Sequence, residues 1–187
     1  VQKLGVKILN NISVESFVTQ DSSMEVKTDK INFKTQKLFI ATNGFAKQFV
    51  AEEVQPARAQ VLITTPIKNL KIKGTFHLDK GYYYFRNIDN RILFGGGRNL
   101  DFKTEETAVF GQTPRIQNEL EKILKEIILP NTSFEIEHRW SGIMGVGPQK
   151  KAIVKQLSDN VFCGVRLGGM GVAIGSLVGK ELGELLT

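Results

Sequence analysis

Cysteine and long apolar runs are scarce in this 187-residue sequence. The single cysteine, Cys163, excludes an internal disulfide, and the apolar residues around it predict a small buried side chain. A chain without disulfides is expected in a reducing compartment, which here predicts a cytoplasmic location. No apolar run approaches the roughly 18 residues of a membrane-spanning helix, so no membrane span is predicted.

Signatures of nucleotide, metal and hydrolase chemistry are also missing. Neither the G-x-G-x-x-G dinucleotide motif nor a P-loop occurs, and no G-x-S-x-G turn presents a nucleophilic serine. The two histidines, His77 and His138, lie far apart in the sequence, so no metal site is predicted. The net charge of +6 suggests nucleic acid, but lysines alternate with acids, as in residues 119–126. The charge therefore indicates a solvated basic surface, and no nucleic-acid partner is predicted.

Short strands dominate what is present. Alternating or apolar segments start at Val6–Leu9 and continue to a buried strand over 38–42, which predicts an antiparallel meander followed by a short helix over 45–50. A hairpin is predicted from strands at 81–86 and 91–94. Because strands outweigh helices and do not alternate regularly with them, the prediction is an α+β fold.

Two helices are predicted in the C-terminal half. Apolar residues repeat at helical spacing from Thr113, the expected N-cap, to Pro130, which ends the helix. The second helix follows the glycine turn Gly168–Gly171, where unpaired helix amides suit a phosphate or an anionic ring edge. The same turn is also typical of a plain connection between a strand and a packed helix.

Three further segments are weaker candidate sites. Gly95–Gly97 precedes Arg98 after the hairpin, a pattern that indicates a bulge or turn with an exposed cation. Tyr82 and Tyr84 are expected to share one strand face, where they either line a pocket or are ordinary half-buried residues. The turn at 41–44 ends a buried strand, a place where backbone often approaches a ligand.

The order of five stretches along the chain is more informative than any one of them. They are Leu38–Ala46 (LFIATNGFA), Pro56–Gln60 (PARAQ), Gly81–Arg86 with Arg91–Arg98 (GYYYFR and RILFGGGR), Arg139–Gly145 (RWSGIMG) and Gly168–Gly175 (GGMGVAIG). In this order they resemble the C-terminal part of the D-amino-acid oxidase, glycine oxidase and sarcosine oxidase family of FAD-dependent oxidoreductases. The resemblance implies that residues 1–55 and 150–187 form the second half of an FAD-binding domain, a β-meander with a C-terminal helix. It implies a substrate-binding domain over residues 56–149, in which a large mixed, mostly antiparallel sheet has helices on one face.

The resemblance also implies the cofactor, FAD, and the chemistry. In the family a hydride passes from a substrate C–H next to an amine to the flavin, and the resulting imine hydrolyses. The implied cofactor-binding positions are Val14, Ala41, Thr42, Asn43, Gly44, Gly168, Gly169, Met170, Gly171 and Val172. The substrate is expected to be a small-molecule amine that contacts Tyr82 and Tyr84, and no catalytic residue is implied.

The cationic side chains that bind substrate carboxylates in the family are missing. Met144 stands where glycine and D-amino-acid oxidases place an arginine, and Gly169 and Ala173 stand at two further cationic positions. Met144 is therefore expected to contact the substrate, with Arg166 as a substitute cation. Because a buried carboxylate without a cation is costly, a larger amine, or one with a distant carboxylate, is expected.

The chain starts at Val1 inside a structured-looking stretch and lacks the dinucleotide motif of its family. We therefore expect a piece of a longer flavoenzyme, inactive alone, whose partner is the missing N-terminal FAD-binding half. The apolar surface that this half would cover predicts self-association. The alternative hypothesis is a non-catalytic binding or interaction module that retains the fold.

Overall fold

The computed structural model describes residues 1–20 and 23–186, which form an α+β fold with three sheets. The N-terminal sheet is an antiparallel meander of β1 (Val14–Gln20), β2 (Ser23–Thr28) and β3 (Phe33–Thr35). The alternation of β2 buries Met24 and Val26 on one face. The predicted strand at 6–9 is wrong, because this exposed segment has no neighbouring strand within the described residues.

The second sheet joins the two ends of the chain. Its strands are β4 (Leu38–Ile40), β10 (Ile153–Ser158) and β11 (Val161–Val165), in the order β10–β11–β4. β11 is buried throughout and pairs in parallel with β4, so the prediction that β4 belongs to the meander is wrong. A 3-10 helix at Asn43–Gln48 follows β4, where a helix over 45–50 was expected.

The large sheet has five antiparallel strands in the order β6–β7–β8–β5–β9. They are β5 (Gln55–Thr64), β6 (Thr75–Leu78), β7 (Tyr83–Ile88), β8 (Arg91–Gly96) and β9 (Ile136–Val146). The predicted hairpin is confirmed as β7 and β8. Its turn residues Asp89 and Asn90 both have positive φ, 46° and 59°, which matches the right-handed twist of paired strands.

Helix α1 (Pro114–Ile123) covers one face of the large sheet and continues as a π-helical turn, Leu124–Ile128. Its predicted apolar stripe is confirmed except at Ile127, which is exposed: Leu120 and Leu124 are fully buried in one cluster with Leu62 and Phe94 of the sheet. Thr113 is the N-cap residue, as predicted, but its hydroxyl donates to the carboxylate of Glu105 at 3.2 Å and makes no capping bond.

Helix α2 (Gly171–Glu184) packs its buried residues Val178 and Leu182 against Gly164 of β11. Shorter 3-10 turns occur at Gln2–Leu4, Asp79–Gly81 and Arg98–Leu100. Within residues 1–20 and 23–186, no helix has the length and apolar character that crossing a membrane requires.

The buried apolar residues form two clusters. One lies between α1 and the large sheet, and the other, which includes Met24, Ile40 and Cys163, lies between the N-terminal and second sheets. The division into an FAD-binding and a substrate-binding domain stays a prediction. The clusters fall on either side of its expected boundary near residue 55.

Candidate functional site

The face of the large sheet opposite α1 carries a row of facing residues that crosses all five strands. The pairing register places His77 opposite Tyr84, Tyr84 opposite Gly95, Gly95 opposite Val61, and Val61 opposite Trp140. Facing residues in adjacent strands share one side of a sheet, so the rings of Tyr84 and Trp140 border a floor formed by Gly95 and Val61. Both rings are exposed, at 39% and 42%. We call this surface the open face.

Glycine at position 95 lets the Tyr84 ring lie across the sheet. A Cβ on Gly95 would be 2.9 Å from the Oη and Cζ atoms of Tyr84 and 3.0 Å from the carbonyl oxygen of Gln60. Only glycine leaves room for this placement. Partial desolvation against the sheet raises the pKa of the Tyr84 phenol, so at neutral pH its hydroxyl remains a hydrogen-bond donor.

Tyr82 does not share the strand of Tyr84. Its backbone is helical, with φ −69° and ψ −23°, because it closes the 3-10 turn Asp79–Gly81 before β7 begins. The expectation that Tyr82 and Tyr84 share one strand face is therefore wrong. The Tyr82 ring instead meets Phe102 edge to face, with 6.2 Å between the ring centroids.

Arg98 is partly buried, so the expectation of a plainly exposed cation is wrong. Its guanidinium carbon lies 4.7 Å from the centroid of the Phe102 ring, and the left-handed turn at Gly97, with φ 77°, directs the chain into this position. Burial lowers the pKa of Arg98, an effect that the nearby Tyr82, Glu105 and Glu106 oppose.

Three of the five stretches that carry the family resemblance, those at 38–46, 139–145 and 168–175, meet at one place, which we call the joint. The side-chain oxygen of Asn43 accepts the N–H of Leu167 at 3.0 Å, and the N–H of Gly168 donates to the carbonyl of Gly145 at 2.9 Å. These bonds connect the turn after β4 and the end of β9 to the segment before α2. The start of α2 is therefore fixed relative to the large sheet.

Glycines make this joint possible. A Cβ on Gly44 would lie 2.8 Å from the Met144 carbonyl oxygen, and one on Gly145 would lie 2.6 Å from the Asn43 side-chain oxygen. Any larger residue at either position would force apart the backbone segments that meet here. Met144 itself lies close to the turn, since its sulfur is 4.0 Å from the Cβ position of Gly169.

The turn before α2 leaves backbone donors available. Gly168 has φ 59°, and the carbonyl of Met170 accepts the N–H groups of Ala173 and Ile174. In the described part of the chain, the amides of Gly169, Gly171 and Val172 have no acceptor. Unpaired amides and the positive end of a helix dipole together favour an acceptor atom or a negative charge. The turn therefore fits the oxygen- and nitrogen-rich edge of a flavin ring.

The family that the resemblance indicates is confirmed by comparison. The sequence family described as FAD dependent oxidoreductase matches residues 1–185. The chain belongs to the FAD-dependent oxidoreductase family.

Solved structures of amino-acid oxidoreductases share this fold, and one curated oxidoreductase is similar in sequence. L-proline dehydrogenase from P. horikoshii superposes with a TM-score of 0.79 at 22% identity, over 100% of this chain and 52% of its own. Glycine oxidase from Geobacillus kaustophilus gives a TM-score of 0.77 at 15% identity, over 94% of this chain and 48% of its own. The probable oxidoreductase OrdL from Haemophilus influenzae is 21% identical, over 98% of this chain and 43% of the relative. The chain thus spans about half the length of these relatives.

The remaining predicted site residues of this family member lie in different surroundings. Ala41 and Thr42 are exposed beside the joint, and Val14 begins β1 opposite Thr28. Arg166 is buried, and its guanidinium donates to the carbonyls of Lys151 at 2.9 Å and Glu53 at 3.1 Å. Its substrate contact stays a prediction, one that these two structural bonds do not favour.

A buried polar network beneath the open face was not predicted from the sequence. Arg58 forms two hydrogen bonds to the Glu105 carboxylate, at 2.8 and 3.0 Å, and Gln60 donates a third at 2.9 Å. Burial raises the pKa of Glu105, but the bonds from Arg58, Gln60 and Thr113 outweigh it and lower the pKa below its usual value. The signal was present in PARAQ, where Arg58 and Gln60 occupy alternate positions of an otherwise apolar strand.

Proposed function

We propose that this chain is the substrate-side, C-terminal part of an FAD-dependent oxidoreductase that oxidises a C–N bond of an amine or amino-acid-like substrate. The observation that carries the proposal is the turn at 168–171, whose unpaired amides lie next to Met144 at the end of the open face. Family membership supports the flavin, and the half-length match supports a further FAD-binding segment. When bound, the flavin accepts the hydride from the substrate.

The turn at 168–172 binds the ring edge in this proposal. Amides aimed at one point need little reorganisation when negative charge develops there, which is why such donors assist catalysis. The bonds from Asn43 and Gly145 keep these amides fixed relative to the open face. The distance between cofactor and substrate is then set by the joint.

The open face orients the substrate amine. Tyr84 offers a protonated hydroxyl, Trp140 provides an aromatic wall, and Gly142 leaves its surroundings open, since no described atom lies within 4 Å of its Cβ position.

The substrate class follows from what the site offers. L-proline dehydrogenase and glycine oxidase are by name oxidoreductases of amino acids, and we extend amine oxidation from them to this chain. Met144 presents no charge to a carboxylate on the reacting carbon. We therefore propose a larger amine, or one whose carboxylate lies away from that carbon. The isolated chain is proposed to be inactive.

Anaerobic titration of the full-length flavoprotein with a panel of primary and secondary amines tests this function. Loss of the visible flavin band on addition of at least one amine is expected. If dithionite bleaches the band and no amine does, amine oxidation is contradicted. Retention of no flavin by the full-length protein would instead favour the non-catalytic module.

A matched pair of glycine variants tests the turn. Gly169→Val adds a branched side chain beside the unpaired amides, so FAD affinity should fall by roughly tenfold or more for the loss of about one hydrogen bond to the ring. Gly179→Val, on α2 with no described atom within 4 Å of its Cβ position, should leave FAD affinity unchanged. Equal FAD affinities in the two variants would contradict the assignment of the turn.

A further inference from the structure

The second sheet ends at a strand whose outer edge has no partner among residues 1–20 and 23–186. In the order β10–β11–β4, strand β4 pairs with β11 on one side only. The N–H of Leu38 donates to the carbonyl of Asn160 at 2.8 Å, so the backbone of Leu38 points to β11. Successive residues of a strand direct their backbone groups to opposite edges. The N–H and carbonyl of Phe39 therefore point to the free edge.

This edge carries none of the features that keep edge strands from pairing. Residues 38–42 contain neither a charge nor a proline, and β4 pairs with β11 without a bulge. Native edge strands are usually protected by such features, because unpaired strand backbone attracts another strand. The composition of β4 is that of a strand in the interior of a sheet.

The Phe39 ring shows which face of the sheet is incompletely covered. Phe39 lies opposite Phe162, which shares its face with Gly164, and a Cβ on Gly164 would lie 3.0 Å from Leu182 of α2. The ring stacks on Phe162 with 5.2 Å between centroids, yet Phe39 is 37% exposed. Ile40, on the opposite face, is 4% exposed. Parallel strands are normally covered on both faces, so β4 lacks cover on the α2 side.

The direction of the two parallel strands relates this edge to the proposed flavin site. β4 and β11 end on the same side of their sheet and lead into the turns at 41–44 and 168–171, which the bond from Leu167 to Asn43 connects at 3.0 Å. In parallel sheets, ligands bind beyond the carboxyl ends of the strands. A further strand that pairs in parallel with β4 would end on this side too. The loop after that strand would lie beside the turn at 41–44.

The chain spans about half the length of the relatives it matches. Parallel neighbours are joined by crossovers of a dozen or more residues, so the partner of β4 need not be close in sequence. We propose, on the basis of the proposed function, that a short apolar strand of the FAD-binding segment outside these 187 residues pairs in parallel with β4. A helix that follows this strand covers Phe39. The free edge of β4 and the Phe39 ring together are then the contact that holds the two segments around the flavin.

Hydrogen exchange of the full-length flavoprotein, resolved to single amides, tests the pairing without any substitution. The N–H of Phe39 should exchange at least roughly 100-fold more slowly than the rate intrinsic to its sequence, because it gains a carbonyl acceptor. Exchange at the intrinsic rate would overturn the inference. Protection that increases with protein concentration would overturn it as well, since a second copy of the chain would then occupy the edge.

A matched pair of variants tests the cover over the ring. Phe76 also lies on an edge strand, is 39% exposed and stacks on Phe85 with 4.7 Å between ring centroids. Phe39→Lys should lower the Tm of the full-length flavoprotein by at least about 5 °C more than Phe76→Lys does, because only the first variant places a charge inside a contact. Equal Tm shifts would contradict the proposed cover.

The two proposals fail in different ways. If Phe39→Lys does not fold, the exchange rate of the Phe39 amide in the parent protein decides. Flavin reduction by amines together with an unprotected Phe39 amide would contradict the β4 inference alone. A full-length protein that retains no flavin would contradict the proposed function, whichever rate the amide shows.

Discussion

Glu105 is the residue whose replacement should destabilise the fold most informatively. It is 1% exposed, pairs with Arg58 at 2.8 Å and accepts further bonds from Gln60 and Thr113. Glu105→Gln preserves the shape of the side chain but leaves the Arg58 charge buried without its counter-charge. Removal of one partner from a buried ion pair costs about 3–5 kcal/mol.

The structure places this cost in the segment 101–113, which the Glu105 backbone ties to β5 through the N–H of Arg58 at 2.8 Å. A loss of about 3 kcal/mol corresponds to a local opening equilibrium raised by more than 100-fold. Hydrogen exchange followed by mass spectrometry, which reports on peptides from 101–113, measures that change directly. Urea unfolding of the same protein gives the global loss.

A second variant separates the charge from the packing. In Arg58→Met combined with Glu105→Gln, no buried charge lacks a partner, so this double variant should recover a large part of the stability that Glu105→Gln loses. Protection of 101–113 in Glu105→Gln within tenfold of the parent would refute the reasoning. So would a double variant less stable than the sum of the two single changes.

Further predictions concern glycine, the joint, pH and assembly. Gly96→Ala should destabilise the protein by at least about 2 kcal/mol in urea unfolding, because φ is 128° and the new Cβ would clash with the Tyr82 carbonyl oxygen; Gly142→Ala, in open space, should cost far less. Asn43→Ala leaves an N–H without its acceptor, so it should cost about 1–3 kcal/mol and weaken FAD binding, whereas Asn118→Ala on the exposed side of α1 should do neither. Folding lowers the pKa of Glu105, so the stability that its carboxylate contributes is complete above about pH 4.3, its unfolded pKa, and is lost as the pH falls through the folded pKa. If the free energy of unfolding of Glu105→Gln falls with acid as steeply as that of the parent, this prediction is contradicted. The isolated 187-residue chain should self-associate in light scattering, since apolar side chains such as Val172 are fully exposed.

Local patterns predicted those parts of the fold whose partners are near in sequence. The hairpin of β7 and β8 needs only its own turn, and the stripe of α1 is set by helical spacing, so both were predicted and confirmed. The pairing of β4 with β11 joins segments more than 100 residues apart, and no local pattern indicates it. The segment 6–9 has the composition of a strand but no neighbouring strand to pair with.

The residues of the candidate site also divide into those that a local sequence pattern indicates and those whose surroundings only the fold determines. The turns at 41–44 and 168–171 were predicted as places where backbone approaches a neighbour or ligand, and Gly44 confirms this, since a Cβ there would lie 2.8 Å from the Met144 carbonyl oxygen. At Gly168 the need for glycine comes instead from its φ of 59°. The surroundings of Arg98 and Glu105 were not predicted, because they depend on which rings and guanidinium groups the fold brings to them. Glu105 meets Arg58 across 47 residues of sequence. A charged residue alone in a sequence gives no sign of whether it is buried.

FAD titration of the full-length protein beside the isolated 187-residue chain tests the central claim most directly. The account predicts that the full-length protein retains flavin through gel filtration in equimolar amount. The isolated chain should bind it weakly or not at all, since it supplies the amides of the 168–172 turn but no dinucleotide motif. A full-length protein that neither carries nor takes up FAD would contradict the account.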